Sequence, residues 1–176
     1  MKEEKDFKSG FAAVVGRPNV GKSTLVNSLI GQKIAIISDK PQTTRNKILC
    51  ILNLPDAQML FLDTPGIHKP RHKLGEYMVR TAETTLREVD VVLFVVDATE
   101  EPGAGEEYIL ERLAAVPTPV ILVINKIDKL PRAQVLPIIA RYTAKREFAA
   151  VVPVSALNRV NLDSLTAEIK KHLVPG

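Results

Sequence analysis

A chain of 176 residues with 45% apolar and 25% charged side chains can bury the core of one folded domain, and its composition is neither disordered nor fibrous. Its one cysteine, Cys50, excludes an internal disulfide and fits a cytosolic address, where thiols stay reduced. A net charge of +4 permits an acidic partner such as nucleic acid without demanding one, and no apolar run is long enough to span a bilayer.

The opening MKEEKDFK mixes both signs and has no apolar stretch, so it is not a signal peptide; residues 1–10 are expected to form an N-terminal extension. FAAVV (11–15) predicts the first strand. Leu25, Leu29 and Ile30 have helical spacing and predict a helix from Lys22 to about Gly31. KILCILNL (47–54) and MLFLD (59–63) predict two strands, and the turn residues of NLPDAQ predict that they form an antiparallel hairpin. Cys50, inside the first of them, reads as a buried small hydrophobe. A helix at about 75–88 follows, then the strand VVLFVVD (91–97), a helix at 105–115, the strand VILVIN (120–125), a helix at 132–146 and the strand AVVPVS (150–155). The last helix is expected at 161–173, with Asn161 as its N-cap. Several strands are apolar without alternation, as strands covered on both faces are. The expected fold is therefore a three-layer α/β domain over 11–174, with a six-stranded, mostly parallel sheet carrying one antiparallel edge strand. The tail HLVPG reads as the start of a connection, with residues 175–176 opening a linker.

GRPNVGKST (16–24) lies between the first strand and the first helix and fits G-x-x-x-x-G-K-[ST] in the context that pattern requires. Gly16 and Gly21 let the backbone wrap closely, so that the loop through Arg17, Pro18, Asn19, Val20 and on to Thr24 surrounds a phosphate chain at a positive helix end, its available N–H groups pointing at the phosphates. Lys22 can bridge the β- and γ-phosphates, and the Ser23 hydroxyl can ligate Mg²⁺. The loop alone does not separate ATP from GTP, or a hydrolase from a kinase.

NKID (125–128) closes the fifth strand, at the sheet edge where such folds bind ligands. Guanine presents a ring N–H beside an exocyclic amine, and the Asp128 carboxylate matches that pair. Asn125 can brace the base and neighbouring loops, and the Lys126 stem can cover the base plane. In SAL (155–157) Ser155 ends a strand, the Ala156 N–H can meet the guanine carbonyl oxygen, and Leu157 adjoins it. Asp63 ends the third strand and can hold Mg²⁺ through a water. Thr64 and Pro65 lead to Gly66, whose N–H can meet the γ-phosphate. In DKPQTTRNK (39–47) Thr44, preferred over Thr43, can ligate Mg²⁺ and close over the nucleotide.

These stretches in order, GRPNVGKST, PQTTR, DTPG, NKID and SAL, are similar to a translation-factor-class GTPase. More narrowly, GRPNVGKSTLVNSLIGQKIAIIS with PQTTR and DTPGIHKP resembles the Era family of small bacterial GTPases, from about Phe11 to Leu173. PQTTR and GIHKP separate it from the tandem-domain relative Der and from the tRNA-modification GTPase, the alternative families. The resemblance implies a monomeric GTP/GDP switch in small ribosomal subunit assembly and rRNA maturation, with no DNA partner. It implies a cytoplasmic location, with peripheral contact to the inner face of the membrane as a further expectation. It also implies a C-terminal KH domain that holds the RNA; this chain stops where that domain would begin, as a piece of a longer protein would. The expected reaction is slow, Mg²⁺-dependent hydrolysis of GTP, with Lys22, Thr44 and Gly66 as the catalytic groups. A small-molecule kinase would share the phosphate loop but leaves NKID unexplained.

Ile67, after DTPG, cannot orient an attacking water, so help is expected from a partner, a backbone group or an ion. His68 beside it reads as an exposed loop residue. Asn19 could place an amide oxygen beside the β–γ bridge and hold a K⁺ ion, as the resemblance supports; the alternative is that it braces the loop. The basic residues Lys40, Arg45, Lys47, Lys69, Arg71, His72 and Lys73 are either an RNA-facing set or solvated loop charge. RYTAKR (141–146) reads as an exposed helix face.

Overall fold

The computed structural model describes residues 7–30, 47–63 and 82–176. Its strands are β1 (Lys8–Val15), β2 (Lys47–Leu54), β3 (Ala57–Asp63), β4 (Val91–Asp97), β5 (Val120–Asn125), β6 (Ala150–Pro153) and β7 (Val174–Pro175). The helices are α1 (Lys22–Ile30), α2 (82–88), α3 (Ala104–Ala114), α4 (Val135–Thr143) and α5 (Leu162–Lys170). Among the described residues the strands form one seven-stranded sheet in the order β2-β3-β1-β4-β5-β6, with β7 beside the start of β1. β2 and β3 are the expected antiparallel hairpin, turned at Pro55-Asp56, and β2 is the antiparallel edge strand. The pairs β1–β3, β1–β4, β4–β5 and β5–β6 are parallel.

Burial explains the sequence pattern. Every residue of β4 and of β5 is buried, because helices cover both faces. Ala12 and Val14 of β1 face α1 and α5, where Leu25, Val26, Leu165 and Ile169 pack. Ala13 and Val15 face α2, α3 and α4, with Leu86, Ile109, Leu113, Ile138 and Tyr142.

Several boundaries differ from expectation. β1 starts at Lys8, inside the stretch set apart as an extension, because its backbone pairs with Ala57 of β3. β7 is the seventh strand: Val174 and Pro175 lie antiparallel to Ser9 and Lys8, and the Gly176 N–H donates to the Phe7 carbonyl. Such a short strand has no periodicity to read, and Pro175 suits an edge. The helix expected at 132–146 is shorter, being a 3₁₀ turn (Arg132–Gln134) followed by α4. Tyr142 is buried, so RYTAKR is not a wholly exposed face. Asn161 precedes α5 in a left-handed conformation (φ 65°), and its side chain caps nothing there; it donates to the Pro153 carbonyl.

Strand register brings the chemistry to one edge. Val14 lies beside Asp63, Val15 beside Phe94, and Asp97 beside Asn125, so β1, β3, β4 and β5 all run out at one edge, with β4 and β5 reaching past the end of β1.

Candidate functional site

The loop from Gly16 to Gly21 leaves β1 and turns into α1. A Cβ on Gly16 would lie 2.5 Å from the Val95 carbonyl oxygen, so the loop needs glycine to pass β4. Gly21 has φ +97°, and a side chain there would strike the Asn125 amide. Val20 is buried, while Pro18, Asn19, Ser23 and Thr24 are exposed along the mouth of the site. Lys22 folds back, its Nζ donating to the Gly16 carbonyl at 2.9 Å. Burial pulls its ammonium below the ordinary value of 10.5, against the opposing charge of Asp63. Arg17 turns away from the mouth and pairs with Glu106 at 3.3 Å and Glu100 at 3.7 Å.

Asp63 is half-buried at the end of β3, close enough for its charge to act on Lys22. Ser23 follows Lys22 on the first turn of α1. A hydroxyl and a carboxylate beside an ammonium are a donor set that suits a hard divalent cation with a phosphate chain.

A second group surrounds a cavity of about 180 Å³ lined by Gly21, Thr24, Asn125, Lys126, Asp128, Lys129, Ala156 and Leu157. Asn125, 2% exposed, closes β5 and works in both directions. Its Nδ2 donates to the Val20 carbonyl and its Oδ1 accepts from the Ala156 N–H, both at 3.0 Å. The Ala156 N–H, expected to face a base, is therefore engaged by Asn125 in this structure. Ser155 Oγ donates to Asp128 Oδ1 at 2.8 Å and accepts from the Asn158 N–H, which aims the carboxylate. Leu157 is 71% exposed at the rim. Lys126 is left-handed (φ 71°), and its Nζ donates to the Asn19 carbonyl and to Asp97 Oδ2, each at 2.9 Å.

The residues expected at the phosphate loop and at the base are thus brought together around one edge. Thr44, Thr64, Pro65 and Gly66, together with Ile67 and His68, lie outside the described residues.

Four side chains escaped the sequence reading. Asp97 accepts from Lys126 and is itself held by Thr99, Glu106 holds Arg17, and Ser28 on α1 donates to the Ala156 carbonyl at 2.7 Å. Asp97 had a signal, since an acid closing an apolar strand is the pattern already noted at Asp63. Ser28 and Glu106 had none, because their partners are distant in the chain. A wider groove of about 650 Å³ runs along α3 to residues 145–147, but no residue of the phosphate loop or of the strand ends lines it.

The family described as 50S ribosome-binding GTPase matches residues 11–126. GTPase Era of Heliobacterium modesticaldum is 58% identical over 170 residues, covering 97% of this chain and 57% of that protein. A crystal structure of Era in complex with MgGDPNP and nucleotides 1506–1542 of 16S ribosomal RNA superposes with a TM-score of 0.81 at 48% identity, covering 97% of this chain and 58% of that one. A variant of Aquifex aeolicus Era bound to GDP·AlF₄⁻ gives a TM-score of 0.80, again at 48% identity, with the same coverages of 97% and 58%. The chain spans somewhat more than half the length of these relatives. The expected likeness to Era holds across nearly the whole chain, and the chain belongs to the 50S ribosome-binding GTPase family, with the P-loop GTPase fold.

Proposed function

We propose that this chain binds GTP and GDP and hydrolyses GTP to GDP and phosphate, as the nucleotide switch of a protein of small ribosomal subunit assembly. The observation that carries the reading is the Asp128 carboxylate, aimed by Ser155 at the cavity that Asn125 ties to the phosphate loop. A carboxylate there pairs with guanine's two adjacent donors and meets no such pair on adenine. Lys22 gives up the Gly16 carbonyl for the β- and γ-phosphates, and the loop N–H groups and the start of α1 neutralise the rest. Ser23 and Asp63 would hold Mg²⁺, which supplies charge neutralisation across the phosphates when bound. Thr44 and Gly66 are assigned to the γ-phosphate side. Competition between GTP and ATP for the chain tests the reading. A site built to pair with substrate donors rejects an analogue lacking them by about 10⁴ or more, and equal affinities would overturn the assignment.

The ribosomal role rests on the likeness to Era, whose complex holds 16S ribosomal RNA. The family description names the 50S subunit instead. Co-sedimentation of the GTP-loaded protein with isolated subunits decides between them, and binding to the large subunit alone would reject the small-subunit role. RNA contact is assigned chiefly to a KH domain beyond this chain, in a monomeric, cytoplasmic protein that touches the inner face of the membrane peripherally.

A second reading, a partner-activated switch with negligible turnover of its own, is favoured by Ile67. Single-turnover hydrolysis with and without ribosomal subunits separates the two.

A further inference from the structure

Among the described residues two acidic side chains are buried, Asp97 at 8% exposure and Glu106 at 3%. A buried carboxylate is costly unless charged and hydrogen-bonding partners meet it. Both belong to one segment, from the end of β4 to the first turn of α3, and both reach the phosphate loop. Asp97 Oδ2 accepts from Lys126 Nζ, and the same ammonium donates to the Asn19 carbonyl, each bond 2.9 Å. Its other oxygen accepts from the Thr99 N–H at 2.8 Å and the Thr99 hydroxyl at 2.6 Å, which fixes the carboxylate's direction. Glu106 Oε2 accepts from Arg17 Nη1 at 3.3 Å, while Oε1 takes the Gly103 N–H at 2.8 Å. The helix backbone is pressed against the arginine stem: a Cβ on Gly105 would lie 2.8 Å from Arg17 Cδ. The two tied positions, Arg17 and Asn19, lie on either side of Pro18. Asn19 and Lys126 are both left-handed, at φ 70° and 71°, a conformation that non-glycine residues keep only where surroundings enforce it.

We propose that the segment 97–106 straps the phosphate loop at two points, and that Asp97, through Lys126, and Glu106, through Arg17, are positioning residues that slow the escape of bound nucleotide. The inference rests on the guanine-nucleotide reading of the site. Neither carboxylate faces the cavity; each acts through a cation that holds loop backbone in its nucleotide-binding shape. The two ties share no hydrogen-bond partner, so their effects are expected to multiply, whereas Asp97 and Lys126 form one tie.

The test is the release rate of a fluorescent GDP analogue chased with excess GDP. Asp97→Asn speeds release about tenfold, the effect of losing a charge-assisted hydrogen bond. Glu106→Gln keeps the acceptor for Gly103 and speeds release about threefold, since Arg17 is partly solvated. The Asp97→Asn/Glu106→Gln double variant multiplies the two effects. Asp97→Asn/Lys126→Met is no faster than the faster of its single variants. Thr99→Val, which removes only the hydroxyl partner of Asp97, speeds release about threefold and serves if Asp97→Asn folds poorly. Asp56→Asn, which breaks an exposed pair with Lys170 far from the site, leaves the rate unchanged. Unaltered release in the Asp97, Glu106 and Thr99 variants, or a multiplied effect in Asp97→Asn/Lys126→Met, overturns the strap. If the unaltered chain retains no GDP analogue, the guanine reading itself fails and the strap falls with it.

Discussion

At Asp128 one carboxylate oxygen is taken by Ser155, and the group sits on the rim of the base cavity. Asp128→Asn replaces an acceptor by an amide, whose N–H₂ meets xanthine's extra carbonyl. The variant is expected to lose guanine nucleotides and gain xanthine nucleotides, read by competition binding. Ser28→Ala removes the bond that holds the Ala156 carbonyl, and is expected to weaken GDP binding about threefold to tenfold in isothermal titration, one ordinary hydrogen bond. Asp97 also carries a pH signature. Burial pushes its carboxyl up, but the hydrogen bonds from Thr99 and Lys126, with the lysine's charge, outweigh that and hold it below 3.8. A depressed folded value means stabilisation that is present above 3.8 and lost as pH falls through the folded value. The stability gap between the unaltered chain and Asp97→Asn, measured by urea unfolding, is therefore expected to be widest above pH 4 and to shrink in acid.

Among elements, α1 joins the phosphate loop to the core. Leu25 is fully buried between the sheet and α5, and Leu25→Ala is expected to cost about 2–5 kcal/mol in urea unfolding, the cost of a core cavity. Because Lys22, Ser23 and Ser28 ride on the same helix, that variant should also bind GDP less tightly. The β2–β3 hairpin supplies Asp63 at its end and buries Cys50 completely. Burial pushes the Cys50 thiol up to about 12, so little thiolate forms in the folded chain. Alkylation by iodoacetamide at pH 8, followed by mass spectrometry, is expected to be negligible until denaturant is added.

For the whole molecule, the parallel sheet gathers four strand ends at one edge, and the machinery there has cations and backbone donors but no described group poised to orient water. Isolated hydrolysis is expected at roughly 10⁻⁴ to 10⁻² s⁻¹ by steady-state phosphate release. A faster rate would show that a catalytic group in the chain has been overlooked. Asn19 is exposed at the loop mouth, with its backbone carbonyl fixed by Lys126. Faster hydrolysis in K⁺ than in Na⁺ at equal ionic strength, abolished by Asn19→Ala, is the outcome expected if its side chain helps hold a cation there. Equal rates in the two salts would leave Asn19 as a brace of the loop.

Local chemistry made much of this legible in the sequence. Gly16, Gly21, Lys22 and Ser23 announce a phosphate loop because their spacing and strand–helix context are set within a few residues. The doubly covered strands announce themselves because burial on both faces removes alternation, and the hairpin because Pro55-Asp56 separates two apolar runs. Tertiary structure alone decided the rest. Ser28 meets Ala156, Arg17 meets Glu106 and Lys126 meets both Asn19 and Asp97 only after the sheet order has placed distant segments side by side. β7 exists only because β1 offers it an edge, and Asn161 turns from capping to bonding Pro153 because the chain bends back there. Spacing records what a residue does to its neighbours along the chain, whereas buried charges and loop tethers are settled by partners across space, where desolvation makes their pairing decisive.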